Sequence, residues 1–210
     1  MERHALVHQG HERRWIEIPG NADALLLVLH GSLQSSNVMR NFTDRTFEGL
    51  GPTVVYPDGI KHHFNDLRAG FNEDARRMRI DDVGFLTQVV EHYGLPTIGC
   101  GFSNGGQMIM RLLFDAPGLL TGAATFGASM PTEDNTLTTT DNYQPTKLLA
   151  VQGTEDKLVP YDGGVAGIGG NNRGQTRSAL NSAEFFADLN GCTGHETSIS
   201  EKLRVDDWAG

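Results

Sequence analysis

The chain has 210 residues, of which 38% are hydrophobic and 20% charged, and its formal net charge is −9 at pH 7. This length fits one domain with a sizeable core, and the composition is that of a globular protein. The acidic balance argues against a surface that binds nucleic acid or anionic membranes. No apolar run has membrane-spanning length and no signal pattern opens the chain, so we expect a soluble, cytoplasmic protein, or a secreted one if the natural N-terminus is missing.

Cysteine usage points to neither disulfides nor metal. Cys100 falls in a predicted buried strand, so we expect no disulfide between it and Cys192. No cluster has the spacing of a metal site, and no motif calls for an organic cofactor. We therefore expect no metal and no cofactor.

The first half of the chain alternates apolar runs with polar turns. The elements predicted there are a hairpin (3–8 and 13–18), a strand buried on both faces (24–29), a helix (from Ser35 or Ser36 to about Leu50, with Val38, Phe42 and Phe47 partly inward), a strand (53–56) and a helix (81–93). The polar segment 60–79 between the last two is a predicted loop, and loops this long are usually functional or mobile.

The second half continues the alternation. The elements predicted there are a strand, tight turn and helix (98–114), two strands (121–126 and 147–151), a helix (about 176–190) and at best one strand in the tail (197–205). A polar loop (131–146) and a glycine-rich loop (163–174) separate them. Strands that alternate with helices predict an α/β fold, with a mostly parallel sheet covered on both faces, in a single domain over residues 1–210. Sites in such sheets gather at the carboxyl ends of the strands.

Gly101-Phe102-Ser103-Asn104-Gly105 fits the G-x-S-x-G nucleophile elbow. Side chains at the two glycines would collide where strand and helix cross. The hydroxyl of Ser103 would be exposed at a helix N-terminus, where N–H groups and the helix dipole favour a developing negative charge. The motif predicts a catalytic serine, although a glycine-rich turn with an incidental serine is an alternative reading.

Two further strand ends carry suitable chemistry. His30-Gly31-Ser32 follows the strand 24–29, and an early loop of this kind supplies one N–H of an oxyanion hole, the other coming from the residue after the nucleophile. These are the N–H groups of Ser32 and Asn104, with Leu33 as a neighbouring candidate and His30 as a structural brace. Downstream, Asp156 lies where an acid would orient an imidazole; Glu155 is its rival, and we favour Asp156 because Leu158 and Val159 can fold it inward.

These motifs together resemble the polyhydroxybutyrate depolymerase and feruloyl esterase-like family of α/β hydrolases over nearly the whole chain. The stretches that carry the resemblance are His30-Gly31-Ser32-Leu33-Gln34-Ser35, Tyr56-Pro57-Asp58-Gly59, Asp81-Asp82-Val83-Gly84-Phe85, the 101–106 elbow, Gly153-Thr154-Glu155-Asp156 through Tyr161, and Gly163-Gly164. The resemblance implies a serine esterase with Ser103 as nucleophile and Asp156 as acid. Phe64 stands where the family usually has Trp, so the substrate pocket there is expected to differ.

The sequence departs from the family at the catalytic histidine. The family's Gly-Gly-His segment, followed by Thr-Trp-Pro, has no counterpart here, and we expect a chain that is C-terminally truncated, with the last strand and helix missing. His195 is a possible base, but it falls at the amino end of its predicted strand, about 26 Å from the other end. His62 and His63 precede the nucleophile and reverse the usual order of the triad.

The sequence therefore predicts a serine carboxylesterase that acts through an acyl-Ser103 intermediate on a small-molecule or oligomeric ester. Polyhydroxyalkanoate, feruloyl and simple acyl esters all fit the pattern. The alternative is a catalytically impaired ester-binding protein that has lost its base. An interaction module that uses an exposed sheet edge ranks third, and the sequence does not set the oligomeric state.

Overall fold

Seven strands form one central sheet in this computed structural model, which describes residues 1–168 and 170–210. They are β1 (Glu2–His8), β2 (His11–Ile18), β3 (Ala22–Leu29), β4 (Pro52–Pro57), β5 (Thr97–Phe102), β6 (Gly122–Phe126) and β7 (Lys147–Val151). Their order across the sheet is β1-β2-β4-β3-β5-β6-β7. The opening hairpin is antiparallel, and β3 to β7 run parallel, as the sequence predicts.

Helices cover both faces of the sheet. They are α1 (Ser36–Phe42), α2 (Asp74–Arg77), α3 (Asp82–Tyr93), α4 (Asn104–Asp115) and α5 (Ala179–Leu189). Side chains of β3 alternate between two cores: Leu25, Leu27 and Leu29 pack with α3, α4 and α5, whereas Leu26 and Val28 pack with Met39 of α1. This strand is buried on both faces, which explains its unbroken apolar run.

The predicted helix to Leu50 is wrong in its length and in its inward face. The helix ends at Phe42 because Asp44 and Arg45 adopt left-handed backbone conformations, with φ of 48° and 56°. Met39 is the buried side chain, while Val38 and Phe42 are 47% and 57% exposed. A single 3-10 turn (Thr46–Gly49) then follows, and its Phe47 packs against the core as expected.

Two further hairpins replace a predicted loop and a predicted single strand. The glycine-rich segment forms β8 (Gly164–Ile168) and β9 (Asn171–Thr176), apart from Gly169, which lies outside the described residues. The tail forms β10 (Gly194–Ile199) and β11 (Arg204–Ala209). Neither hairpin joins the central sheet. The sequence hides both, because glycines dilute the first and every residue of β10 is exposed, so neither shows an alternating apolar pattern.

The segment 60–79 is packed into the protein, although it contains only short helical turns. Phe64, Leu67 and Phe71 are fully buried.

β7 forms one edge of the central sheet, and its Leu149 and Val151 are 58% and 43% exposed. No helix in the described parts of the chain is both long and apolar enough to cross a membrane.

Candidate active site

Ser103 occupies a strained turn between β5 and α4. Its backbone has φ 52° and ψ −114°, a conformation that residues other than glycine rarely adopt. The Ser103 N–H donates to the Phe126 carbonyl oxygen at 2.8 Å, which fixes the turn against β6. Such strain is found at functional sites, where the surrounding structure enforces it.

The elbow glycines permit contact between backbones. A Cβ on Gly101 would lie 2.3 Å from the Gly105 carbonyl oxygen, and one on Gly105 would lie 2.3 Å from the Leu29 carbonyl oxygen. A Cβ on Gly106 would lie 2.8 Å from the Cβ of Ala128. This is the close crossing of strand and helix that the motif predicts, and it also sets the elbow directly against the end of β3.

The side chain of Asn104 ties the elbow to the segment 60–79. Asn104 is fully buried; its Oδ1 accepts from the Phe64 N–H at 2.9 Å, and its Nδ2 donates to the Phe64 carbonyl oxygen at 3.0 Å and to Asp66 Oδ2 at 2.7 Å. Because Asn104 is the first residue of α4, its backbone N–H has no partner within the helix. That N–H is the oxyanion donor that the sequence predicts.

The second predicted donor lies in residues 30–34, the oxyanion loop. The Gly31 N–H donates to Gln34 Oε1 at 2.9 Å, and the Leu33 N–H donates to the His62 carbonyl oxygen at 3.0 Å. Leu33, the neighbouring candidate, is therefore already paired. The Ser32 N–H has no hydrogen bond to any of the described residues, which leaves it as the candidate donor of this loop.

His30 braces the oxyanion loop from inside the protein. Its Nδ1 donates to the Gly31 carbonyl oxygen at 2.7 Å and its Nε2 accepts from the Gly59 N–H at 3.0 Å, which together require the neutral ring. Burial lowers the pKa of His30 to about 4. The expected structural role fits these contacts.

Acidification is therefore expected to destabilise the protein through His30. The unfolded chain binds the proton below pH 6.5, whereas the folded chain binds it only near pH 4, so the free energy of unfolding falls by about 3 kcal/mol across this window. Urea unfolding at pH 7 and pH 4.5 measures the loss. His30→Asn, which keeps the donor to Gly31 but does not titrate, should show a flatter dependence; equal slopes would contradict the assignment.

Asp156 follows β7 and is held by its own loop. Its Oδ1 accepts from the N–H groups of Leu158 at 2.8 Å and Val159 at 2.9 Å, and its Oδ2 accepts from Gln152 Nε2 at 3.1 Å. Val159 is buried, as expected, whereas Leu158 is 48% exposed, and the backbone N–H groups of both hold the carboxylate. The rival Glu155 is exposed and has no hydrogen bond to the rest of the described chain.

The acid lies close to the strand that leads into Ser103. A Cβ on Gly127 would lie 3.5 Å from the Phe102 ring and 3.7 Å from Asp156 Oδ2. The Gly127 N–H also donates to the Val151 carbonyl oxygen at 2.9 Å, which joins the ends of β6 and β7. The carboxyl ends of β3, β5 and β7 thus present Ser32, Ser103 and Asp156 at one edge of the sheet.

Comparisons with known proteins agree with this architecture. No family model matches the chain. A relative is "Putative esterase NocK" from Nocardia uniformis subsp. tsuyamanensis, which is 26% identical over an alignment of 149 residues that covers 66% of this chain. The match covers 42% of NocK, so the chain spans about two fifths of that protein's length.

Two solved structures share the arrangement of strands and helices. A complex of a pOPH variant with DMSO has a TM-score of 0.63 at 16% identity and covers 89% of this chain and 74% of that one. The Bacillus cereus carboxylesterase has a TM-score of 0.57 at 17% identity and covers 85% and 79%. The chain has the α/β-hydrolase fold. In this fold the elbow serine lies at the top of the sheet, which is where the structure places Ser103.

A serine hydrolase needs a histidine next to its nucleophile, and none of the described contacts places one at Ser103. His195 lies in β10, where its Nε2 contacts Asp206 Oδ1 at 3.1 Å and its ring stacks on Trp208 at 4.4 Å. None of its described contacts reaches Ser103 or Asp156. The predicted strand over 197–205 is wrong in its bounds, because β10 and β11 form a hairpin; His195 is the second residue of β10, near its amino end, and is paired with Trp208 of β11.

The two loop histidines also have partners other than Ser103 and Asp156. His62 Nδ1 contacts the Gln34 carbonyl oxygen at 3.0 Å, and His63 Nδ1 contacts the Lys61 carbonyl oxygen at 3.0 Å. His63 is 4% exposed and packs edge-on against Phe71, and burial lowers its pKa. In the described part of the chain, no imidazole hydrogen-bonds to Ser103 or Asp156.

Metal ligands are grouped at one place only among the described residues. Glu2, His4 and Glu17 bring three ligand atoms within 4.8 Å of one another on the opening hairpin. His4 Nε2 is 2.7 Å from Glu17 Oε2, so direct contact between these two side chains already accounts for the grouping. Two cavities of about 280 and 410 Å³ are also present, and Ser103 lines neither.

Several contacts of the site are not predicted from the sequence. Phe64 and Asp66 bind the Asn104 side chain, Gln152 binds Asp156, and Arg173 donates to Ser32 Oγ at 2.6 Å. These contacts join residues far apart in the chain, up to 141 positions for Arg173 and Ser32. A single sequence contains no periodicity or motif that pairs them.

Proposed function

We propose that this chain carries the nucleophile, acid and oxyanion hole of a serine esterase that hydrolyses carboxylic esters through an acyl-Ser103 intermediate. The observation that carries the proposal is the elbow itself. Ser103 keeps a left-handed backbone, between glycines that admit no side chain, at the first turn of a helix. The likeness to NocK, which is named as an esterase, and to a carboxylesterase of the same fold supports this reading.

The proposed chemistry follows the general order of a serine hydrolase. Ser103 Oγ attacks the ester carbonyl carbon while its proton passes to a histidine, and the N–H groups of Ser32 and Asn104 stabilise the oxyanion. The tetrahedral intermediate then expels the alcohol, which takes the proton from the histidine. Water attacks the acyl-serine by the same route and releases the acid. Asp156 orients the imidazole, and its own loop holds it for that purpose.

The narrower substrate class follows from the sequence resemblance. Polyhydroxyalkanoate, feruloyl and simple acyl esters stay the candidate substrates, bound as small molecules or oligomers. We propose that the acyl or alcohol group contacts the segments 60–79 and 131–146. Phe64, which stands where the family usually has Trp, is fully buried beneath the oxyanion loop, with its ring centroid 4.6 Å from that of His30. We therefore expect Phe64 to affect substrate binding through the shape of the oxyanion loop and not through direct contact.

A second candidate function is an ester-binding protein with impaired catalysis. The specific observation in its favour is that neither Ser103 nor Asp156 is among the described partners of His195, His62 and His63. Loss of the base from a serine triad lowers kcat by about a millionfold, and the oxyanion hole and substrate binding leave a residual rate above that of water.

Labelling with a fluorophosphonate separates the two functions. The purified chain should form an adduct on Ser103, detected by intact and peptide mass spectrometry, and Ser103→Ala should form none. Asp156→Asn should slow labelling by about a hundredfold or more if a histidine works with this acid. Wild-type labelling no faster than that of Ser103→Ala would contradict the esterase and favour the binding protein. Replacement of His195, His62 and His63 in turn then identifies the base.

A further inference from the structure

An arginine from a distant strand fixes the oxyanion loop. Arg173 lies in β9, is 4% exposed and donates from Nη1 to Ser32 Oγ at 2.6 Å. Its Nη2 donates to Glu73 Oε1 at 2.9 Å, and its Cζ stands 5.1 Å from the centroid of the Phe71 ring. The guanidinium therefore has partners on two edges and an aromatic ring beneath it, which hold it in one orientation.

The backbone that carries Arg173 is fixed as well. Asn135 Nδ2 donates to the Arg173 carbonyl oxygen at 3.1 Å, and Asn135 Oδ1 accepts from the Gly70 N–H at 2.8 Å. Gly70 packs so closely that a Cβ there would lie 2.9 Å from the Arg173 carbonyl carbon. A shift of the Arg173 backbone would thus require movement of β9 and of the segment 60–79 together.

We propose that Arg173 is a positioning residue for the ester hydrolysis proposed above: by holding Ser32 Oγ, it aims the Ser32 N–H at the carbonyl oxygen of the bound ester. This inference rests on the proposed function. In the oxyanion loop, the N–H groups of Gly31 and Leu33 have partners of their own, whereas Ser32 keeps its N–H without a described partner while Arg173 holds its side chain. Arg173 itself touches no reacting atom in this scheme.

The energetic reason lies in the geometry of an oxyanion hole. A donor is effective when it lies about 3 Å from the place of the oxyanion, and a misplacement of about 1 Å can lower a rate a hundredfold. Arg173→Met keeps an apolar stem over Phe71 but no donor, so Ser32 Oγ is released and the loop gains freedom. Because the donor acts on the tetrahedral species, the loss should appear in the rate of bond formation and not in initial binding.

A double-mutant cycle tests the proposal with the full chain. Fluorophosphonate labelling of Ser103, resolved into kinact and KI, is measured for the wild type, Arg173→Met, Ser32→Ala and the double variant. Each single change should lower kinact about tenfold with KI within about twofold, and the double should be no slower than the slower single. Arg177→Met is the matched control: this guanidinium lies 4.6 Å over the Phe185 ring, and Arg177 has no described contact with the oxyanion loop.

The outcomes separate this proposal from the proposed function. If the losses in kinact multiply in the double variant, Arg173 and Ser32 act independently and the proposal is overturned. If Arg173→Met lowers only the stability towards urea, Arg173 supports the fold alone. If the wild type does not label at Ser103, the esterase function is contradicted, and the hydrogen-exchange rate of the Leu33 N–H then tests whether Arg173 positions the loop. This rate should be at least about tenfold faster in Arg173→Met than in Arg177→Met; equal rates overturn the inference.

Discussion

Replacing Gly105 by alanine is expected to destabilise the protein by about 3 kcal/mol or more and to abolish labelling of Ser103. The added Cβ would lie 2.3 Å from the Leu29 carbonyl oxygen and 2.6 Å from that of His30. Both atoms belong to the backbone at the buried end of β3, so neither can move aside as a flexible side chain would. Urea denaturation gives the change in free energy, and mass spectrometry gives the labelling.

Gly49→Ala is the matched control for this substitution. A Cβ at Gly49 meets no atom within 4 Å, and the residue has no left-handed backbone. We expect its free energy of unfolding to stay within about 0.5 kcal/mol of the wild type. A Gly105→Ala variant as stable as Gly49→Ala would show that the crossing of strand and helix is looser than the structure has it.

Asp82→Asn is expected to cost about 3–5 kcal/mol of stability. Asp82 and Arg13 are buried, with side chains 0% and 1% exposed, and the Arg13 Nη2 donates to Asp82 Oδ1 at 2.5 Å. Asp82 Oδ2 also accepts from the Asn65 N–H at 2.6 Å. An asparagine at this position leaves the Arg13 guanidinium without its counter-charge. Its NH2 group would also face either the Arg13 Nη2 or the Asn65 N–H, both of which are donors.

A surface pair provides the comparison for Asp82. Asp74 and Arg77 make an ion pair of the same type, but their side chains are 45% and 55% exposed, so Asp74→Asn should cost less than about 1 kcal/mol. The double change Arg13→Met with Asp82→Leu should regain much of the loss, since it removes both charges together. A similar cost for Asp82→Asn and Asp74→Asn would mean that water reaches the buried pair.

The sequence predicts the parts of the fold that depend on local pattern. The continuous apolar run of β3 and the helical spacing behind Ser103 identify the sheet and α4, and the fold class is confirmed. The left-handed residues Asp44 and Arg45 end α1 early without a glycine or proline to mark the place. The hairpins β8–β9 and β10–β11 were missed because they lack an apolar face that alternates.

The candidate site divides in the same way. The elbow, the oxyanion loop and Asp156 are each predicted from a motif of a few consecutive residues. Asn104, in contrast, pairs with Phe64 and Asp66, about forty positions away, through contacts that no motif encodes. Their catalytic roles stay predictions, as do the base, the cytoplasmic location, the partners and the single domain over residues 1–210.

The amide side chains of Asn104 and Asn135 also determine where this protein can change length. Together they bond to Phe64, Asp66 and Gly70, so residues 64–70 cross the interior with several of their hydrogen bonds met by side chains, beside one isolated β-bridge between Arg68 and Thr136. An insertion or deletion in this stretch would move the backbone groups that follow it away from the asparagine side chains that bind them. Residues 138–142, by contrast, are mostly exposed and receive no such bonds from elsewhere in the described chain. Length variation that adapts the protein to other ligands should therefore be tolerated there and not in 64–70.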